Sequence, residues 1–239
     1  MTSFVGNDLI DFAADHNRGR SGQSRFLERA LTPDERGRLA RENAGDHGVA
    51  LLWSAKEAAY KAARKRDPAL VFAPRRWRVD VDSLAPGPGD RAGTVAIAPG
   101  ALAEVRWQQG DGWLHCVALI GASPGVVDEA VARSIDVEAF GEFAQRERAG
   151  FSCRESGAVR NLAKRLLDDH GIRGIEIVRN PGAQPAAHRR LPPTVYAGES
   201  PLPGVDVSLS HDGRFVAAVV HLTCRCRSAR RSRREDRRR

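Results

Sequence analysis

The chain has 239 residues and a formal net charge of +8, and its apolar runs fall far short of the roughly 20 residues that span a bilayer. The charge is local, because the segment 225–239 holds nine arginines against two acids and contributes +7. The other residues sum to +1, which excludes a nucleic-acid-binding surface spread over the whole protein and is typical of a neutral body with a disordered basic tail.

The cysteines and the start of the chain predict the compartment. Cys116, Cys153, Cys224 and Cys226 form neither a Cys-x-x-Cys pair nor a regular framework. The first residues lack the basic and apolar segments of a signal peptide. We therefore expect a reduced, cytoplasmic protein.

A short strand and a capped helix are the first elements that the sequence predicts. An apolar run meets Gly6-Asn7-Asp8, a pattern typical of a strand end, so Asp8 is predicted at a strand edge or turn. Further on, Thr32 precedes a proline at the first helical position, and Glu35 three residues after the cap completes a capping box. This pattern predicts a helix at about 33–43.

The stretch 53–62 is a second, stronger helix prediction. Glu57 and Lys61 lie four residues apart and share one face, while Trp53 and Tyr60 supply apolar surface for packing. Lys56 points about 100° away from Glu57, which predicts that it faces solvent. Taken alone, a Glu/Lys pair of this spacing contributes only about 0.2–0.5 kcal/mol and is most often a solvated surface feature.

The second half repeats the order of the first. The patterns predict strands at 77–81, 94–98 and 113–120, a helix at 156–167, a strand at 174–178, a Pro-rich connection at 180–204 and a hairpin at 205–220. The turns Asp111-Gly112 and Asp212-Gly213 each precede an apolar strand, and placing them in register aligns the two helices. We predict two related modules, 1–122 and 123–224, and a tail at 225–239; a chance recurrence of two strands and a helix stays open here.

A third motif, Val207-Ser208-Leu209-Ser210-His211, ends directly before the second turn. A histidine at a strand end is more often a hydrogen-bonded turn residue than a ligand, so the motif is weak by itself. Together with Gly6-Asn7-Asp8 and the helix of Glu57 and Lys61, it resembles the 4′-phosphopantetheinyl transferase superfamily. That family has a Gly-x-Asp strand end, a Lys-Glu-x-x-x-Lys helix after a Trp or Phe, and a Ser-x-Ser-His strand.

The resemblance implies a reaction. Members of the superfamily move the phosphopantetheine arm of coenzyme A onto a serine of a carrier protein and release adenosine 3′,5′-bisphosphate. Asp8 and Glu57 would be ligands of Mg²⁺, which takes one or two carboxylates beside phosphate oxygens and water. Lys61 would neutralise or protonate the leaving group, and Glu57 or a metal-bound water would be the base for the serine.

Coenzyme A is expected to bind mainly through the second module. Ser210 and His211 resemble the family's phosphate contacts, and Arg154 is either a further basic contact or a plain surface arginine. Two departures from the family pattern stand out. The next acid after Asp8 is Asp11, so either Asp11 or water would complete the metal shell, and the usual Gly-Lys-Pro is at best the segment 182–185, which lacks the lysine.

The order of the motifs is that of the small trimeric holo-acyl-carrier-protein synthases, but the chain has residues for two modules. The simplest interpretation is a fused pseudo-dimer with an α+β fold, in which each module is a small antiparallel sheet packed with a long helix. One site would lie between the modules, and a single subunit would complete it. We therefore expect a monomer.

The favoured function is a Mg²⁺-dependent phosphopantetheinyl transferase of the holo-acyl-carrier-protein synthase type. The alternative is a non-catalytic, transferase-like module that binds a carrier protein or another partner. A third hypothesis is nucleic-acid binding through the segment 225–239. Acyl, polyketide and peptidyl carriers all present a serine on a mostly acidic helix, so the sequence does not rank them.

Overall fold

The structure, a computed structural model, describes residues 3–87, 89–97, 100–121, 125–138, 143–179 and 191–223. Its strands pair antiparallel in three sheets, and a long helix packs on each of the two main sheets. The predicted α+β class is confirmed. The Arg-rich segment and residues 182–185 lie outside the described residues.

The elements follow one another in two rounds, each with a long helix between a first strand and a final hairpin. The strands are β1 (Phe4–Asp11), β2 (Arg78–Val81), β3 (Arg91–Ile97), β4 (Ala101–Gly110), β5 (Trp113–Ile120), β6 (Gly125–Arg133), β7 (Ile175–Val178), β8 (Thr194–Ala197), β9 (Ser200–Pro201), β10 (Val205–Asp212) and β11 (Phe215–Thr223). The helices are α1 (Ser24–Ala30), α2 (Pro33–Arg41), α3 (Gly45–Arg66), α4 (Gln145–Arg148) and α5 (Arg154–Asp169).

The two main sheets share the order of their central strands. β5 lies between β1 and β4 in the sheet β1-β5-β4-β3-β2, and β11 lies between β6 and β10 in the second sheet. Both hairpins turn at the predicted Asp-Gly pairs, where Gly112 and Gly213 have φ angles of 79° and 48° that favour glycine. The halves are therefore related in topology, while the boundary at residue 122 lies outside the described residues and stays a prediction.

α3 packs closely on β1 because small residues face each other at the centre of the contact. The helix buries a stripe of small residues, Ala55, Ala58, Ala59 and Ala62. A Cβ atom at Gly6 would lie 2.0 Å from the Ala58 carbonyl oxygen and 2.6 Å from the Ala62 nitrogen. Only glycine fits at this position, and its presence brings the strand of Asp8 onto the helix of Lys61.

The aromatic residues of α3 pack as predicted. The ring of Trp53 lies 5.2 Å from that of Phe26 and 5.7 Å from that of Phe72, between ring centroids. Tyr60 lies 4.8 Å from Phe72, so the two residues join one aromatic cluster on the outer side of the helix.

The predicted capping box begins α2. The Glu35 N–H donates to Thr32 Oγ1 at 3.2 Å, and the Thr32 N–H donates to Glu35 Oε2 at 2.8 Å. The helix ends at Arg41, two residues before the predicted end. The same carboxylate also accepts from the Val79 N–H at 2.9 Å, so it joins α2 to β2.

The prediction that Lys56 faces solvent is wrong. Its side chain is fully buried, and Nζ donates to Glu35 Oε2 at 2.5 Å and to the carbonyl oxygens of Ala30 and Pro74 at 3.0 Å each. Burial lowers the pKa of Lys56, and the charge of Glu35 opposes that shift. The helix face of Lys56 lies against α2 and the segment before β2, which local spacing does not reveal.

Four strands, β4, β6, β8 and β9, were not predicted. β4 alternates between the buried Ala103, Val105 and Trp107 and the exposed charged residues between them, which is a strand signal that the sequence contains. β6 is half-buried along most of its length, so it shows no clear alternation. β8 lies within the segment predicted as a Pro-rich connection, of which residues 180–190 are outside the described part of the chain.

Candidate functional site

The two main sheets meet at the edges of β1 and β10, and side chains rather than strand pairing join these edges. Three main-chain N–H groups of β1 donate to side chains of β10: Val5 to Asp206 Oδ2 at 2.8 Å, Asn7 to Ser208 Oγ at 3.0 Å, and Asp11 to Asp212 Oδ2 at 2.8 Å. Lys61 and Lys65 of α3 reach the carbonyl oxygens of the same edge. We call this contact the seam.

Lys61 joins the two strands at the centre of the seam. Its Nζ donates to the Asn7 carbonyl oxygen at 2.8 Å, to Asp8 Oδ1 at 2.9 Å and to Ser210 Oγ at 3.3 Å. The Ser210 hydroxyl also lies 3.4 Å from Asp8 Oδ1. Three residues from three sequence motifs therefore converge on one point.

The prediction that Asp8 ends a strand is wrong. β1 continues to Asp11, so Asp8 lies within the strand and is only 9% exposed. Gly6 suggested a strand end in the sequence, but it serves the close contact with α3. The correction leaves Asp8 on the helix-facing side of β1, beside Lys61.

Glu57 lies one turn before Lys61 on α3 and is half-buried. Burial and, next, the negative charge of Asp8 raise the pKa of Glu57 to about 7, while the charges of Lys61 and Arg20 oppose the rise. The carboxylates of Asp8 and Glu57 repel each other when both are ionised. Such a pair fits a divalent cation, because the cation replaces the repulsion by attraction.

The donor set also limits what the cation can be. Among the described residues, no group of three or more His, Cys, Asp or Glu side chains converges as a metal site. Two carboxylates suit Mg²⁺, which binds through one or two carboxylates together with substrate phosphates and water. Asp8 and Glu57 therefore fit Mg²⁺ in a complex with a phosphate-bearing substrate.

Asp11 is engaged elsewhere. Both of its carboxylate oxygens accept from the Arg214 guanidinium, at 2.8 and 2.9 Å, and Oδ1 also accepts from the Ala13 N–H at 2.9 Å. Burial alone would raise the pKa of Asp11, but the hydrogen bonds from Arg214 and Ala13 outweigh it and hold the pKa at about 2. Of the two predicted ways to complete the metal shell, the geometry therefore favours water over Asp11.

His211 lies on the opposite face of β10 from Ser210, because successive strand residues alternate. Ser210 is buried in the seam, whereas His211 is exposed and its Nε2 lies 3.8 Å from Cys153 Sγ. Partial loss of hydration lowers the pKa of His211, the charge of Glu155 opposes the shift, and the charges of Lys61 and Arg179 add to it.

Arg154 is the first residue of α5 and is exposed. Its Nη1 donates to the Ser134 carbonyl oxygen at 3.4 Å. It follows Cys153 in the chain, so it belongs to the rim around His211 and not to the cluster around Lys61.

Two cationic residues were not predicted, namely Lys65, which pairs with Asp206, and Arg20, whose charge acts on Glu57. Lys65 continues the four-residue spacing of Glu57 and Lys61, a signal that the sequence does contain; its Nζ lies 2.8 Å from Asp206 Oδ1. Arg20 lies 4.8 Å above the Phe26 ring and donates from Nε to the His16 carbonyl oxygen at 2.7 Å. It lies in a short 3₁₀ turn without periodicity, so no sequence pattern points to it.

Comparison with known families finds a match for the first part of the chain. Residues 4–88 match the family model ACPS, the 4′-phosphopantetheinyl transferase superfamily. The matched segment holds Asp8, Glu57 and Lys61, and the predicted resemblance is confirmed for this part of the chain. Ser210 and His211 lie outside the match.

Two further findings complete the description. No curated protein matches the chain. Within the described residues, no helix combines the length and the apolar character needed to cross a membrane.

Proposed function

We propose that the protein transfers the 4′-phosphopantetheine group of coenzyme A to a serine of an apo carrier protein with Mg²⁺ and releases adenosine 3′,5′-bisphosphate. The observation that carries the proposal is the position of Lys61, whose ammonium group joins Asp8 on β1 to Ser210 on β10. Asp8 and Lys61 belong to the segment that matches the transferase superfamily. The seam thus offers a carboxylate, a cation and a hydroxyl to one pyrophosphate-bearing substrate.

Asp8 and Glu57 are the residues that would hold Mg²⁺. The raised pKa of Glu57, caused by burial and by the Asp8 charge, supports this assignment, because a bound cation relieves both effects. When bound, the ion neutralises charge that develops on the pyrophosphate oxygens.

Lys61 is the candidate for charge stabilisation at the leaving group. A phosphate oxygen that enters beside Ser210 comes within reach of the ammonium group, since Nζ and Oγ are 3.3 Å apart. Its charge is worth more as negative charge accumulates on the leaving phosphate. The incoming serine must lose a proton, and Glu57 or a metal-bound water is the proposed acceptor.

Ser210, His211 and Arg154 are the proposed coenzyme A contacts. Ser210 is nearest to Lys61, so it would meet the pyrophosphate. His211 and Arg154 lie further out along β10 and the start of α5, so they would meet phosphate groups outside the seam.

A monomer is the proposed functional unit. Asp8 and Lys61 come from the first sheet and its helix, and Ser210 comes from the second sheet of the same chain. One chain therefore supplies both sides of the seam. Size-exclusion chromatography with light scattering tests this point, and a stable trimer would contradict it.

Mass spectrometry of carrier proteins tests the transfer itself. The purified chain is incubated with coenzyme A, Mg²⁺ and a panel of apo acyl, polyketide and peptidyl carriers. We expect one carrier or more to gain the mass of one phosphopantetheine group, and chelation of the metal to stop the gain. Lys61→Met and Lys56→Met form a matched pair, because only Lys61 lies in the seam.

The non-catalytic alternative makes the opposite prediction. A folded protein that modifies no carrier but binds one in the same panel would favour a transferase-like binding module. Deletion of residues 225–239 tests the nucleic-acid hypothesis. That hypothesis requires a salt-sensitive affinity for nucleic acid that disappears when the segment is removed.

A further inference from the structure

A buried polar cluster lies directly behind the seam, on the side of β1 that faces away from α3. Asn7 points to this side, because Gly6 and Asp8 face the helix. Asn7 is 0% exposed. It interrupts an otherwise apolar contact between the two main sheets, made by the clusters Val5, Val117, Val219 and Leu9, Phe215, Ala217.

The partners of the Asn7 side chain define its orientation. Its Nδ2 lies 3.1 Å from the Ala217 carbonyl oxygen, which only accepts, and 3.1 Å from His115 Nε2. The amide nitrogen must therefore donate to both, so His115 Nε2 is an acceptor and the ring proton is on Nδ1. Nδ1 lies 3.1 Å from Glu129 Oε2, but neither of these two atoms has a hydrogen bond of good geometry among the described residues.

Stability does not explain an asparagine at this position. Asn7 Oδ1 is buried and has no hydrogen-bond partner among the described residues. A buried acceptor in this state costs about 1–3 kcal/mol, which offsets much of what the two hydrogen bonds of Nδ2 contribute. The neighbours on the same face of β1, Val5 and Leu9, are apolar.

The main chain of Asn7 touches the seam directly. Its carbonyl oxygen accepts from Lys61 Nζ at 2.8 Å, and its N–H donates to Ser208 Oγ at 3.0 Å. A rotation of this peptide would move an acceptor of Lys61 and would also move Asp8, the next residue. The side chain, fixed by β5 and β11, resists that rotation.

We propose that Asn7, oriented by His115 and the Ala217 carbonyl oxygen, is a positioning residue for Lys61 and Asp8. It ties β1 to β11 of the second sheet, so the distance between Asp8 and Ser210 depends on it. The expected effect on turnover rests on the proposed function. The expected effect on the surroundings of Lys61 does not.

The first test compares Asn7→Leu with Asn17→Leu. Asn17 is a second buried asparagine, whose Nδ2 donates to the Asp11 carbonyl oxygen and to Asp212 Oδ2 without touching Lys61. We expect Asn7→Leu to lower kcat by about 10- to 100-fold, because small misplacements of a catalytic group have effects of this size. Its KM for coenzyme A should change little, whereas its unfolding midpoint should fall because the buried His115 Nε2 loses its donor. Asn17→Leu should keep kcat; an equal loss of kcat in both variants overturns the proposal.

A pair of His115 variants provides the rescue test. Glutamine at this position keeps an acceptor for Asn7 Nδ2, whereas leucine has none. We expect His115→Gln to retain most of the kcat that His115→Leu loses. Equal kcat values in two folded variants would show that the hydrogen bond to Asn7 has no positioning role.

A chemical readout separates this proposal from the proposed function. The rate at which acetic anhydride labels Lys61 is measured by mass spectrometry, with Lys164 of the same protein as the internal reference. We expect Asn7→Leu to label faster at Lys61 than the wild type, because one of three acceptors of Nζ shifts. Unchanged labelling overturns the positioning proposal, whether or not a carrier is modified. A wild type that modifies no carrier overturns the proposed function alone.

Discussion

Replacing Lys56 by methionine tests the buried ion pair between α2 and α3. Methionine fills a similar volume without charge, so the change leaves the Glu35 carboxylate without its cation. Glu35 keeps the N–H donors of Thr32 and Val79, at 2.8 and 2.9 Å, but loses an ammonium group 2.5 Å away.

The burial of the pair sets the magnitude. Lys56 is 0% and Glu35 4% exposed, so water cannot take the place of the ammonium group. Removing one partner of a buried pair destabilises a protein by about 3–5 kcal/mol, and the two remaining donors lead us to expect about 3 kcal/mol. Adding Glu35→Gln removes the unpaired charge and should recover at least about 1 kcal/mol.

Urea unfolding at pH 7 measures these changes, with the buried Trp77 and Trp107 as fluorescent probes. Lys61→Met is the matched control on the same helix. The Lys61 side chain is 31% exposed, so its loss should destabilise by less than about 1 kcal/mol. Equal destabilisation by the two variants, or a loss of less than about 1 kcal/mol for Lys56→Met, would refute the reasoning.

Four other predictions follow from the seam. The pKa of Asp11 is about 2 in the folded protein, against an ordinary value of 3.8. The stabilisation that Asp11 supplies is therefore complete above about pH 4 and is lost as the pH falls towards 2. Asp11→Asn should lower the free energy of unfolding by about 2 kcal/mol, and urea midpoints that respond to acid as in the wild type would contradict this. Glu57 has a raised pKa of about 7, so its contribution to stability falls as the pH rises from 4.5 through 7. Glu57→Gln should therefore raise the unfolding free energy at pH 8 without Mg²⁺ by about 1–2 kcal/mol, and a decrease would argue against the carboxylate repulsion. Mg²⁺ should raise the Tm of the wild type but not that of Asp8→Asn, and an equal shift in both would place the ion elsewhere. Lys61→Ala should lower kcat more than it raises KM for coenzyme A, whereas the opposite pattern would assign Lys61 to binding.

Local signals predicted the elements that depend on local structure. The capping box at Thr32 and Glu35 starts α2, and the two Asp-Gly turns connect the hairpins where expected. These features need only a few adjacent residues, so neighbours far along the chain do not change them. β6, which is half-buried rather than alternating, lacked such a signal and was missed.

Contacts between distant segments decided the residues that were predicted wrongly. Lys56 is buried because α2 and the segment before β2 cover its side of the helix. Gly6 indicated a strand end, yet a helix backbone from more than fifty residues away demands the missing side chain. Neither fact follows from spacing on a single element.

The candidate site could be predicted only in part, and for a physical reason. Glu57 and Lys61 share a helix face by spacing, so their proximity follows from the sequence. The approach of Ser210 to Lys61 depends on the contact between β1 and β10, and the resemblance to a known family, not periodicity, pointed to it. Arg20 matches no motif, and only the fold brings it close to the carboxylates.

The seam also has a consequence for the solubility of the protein. β1 and β10 each end a sheet, and an uncovered strand edge is a template for association with another chain. Lys61 and Lys65 occupy carbonyl groups of these strands, and the side chains of Asp206 and Ser208 occupy N–H groups. Lys61, which is proposed to act on the substrate, therefore also protects the strand edge from pairing with another chain. Aggregation of a Lys61 variant with an unchanged unfolding midpoint would report an opened edge, and not a loss of fold.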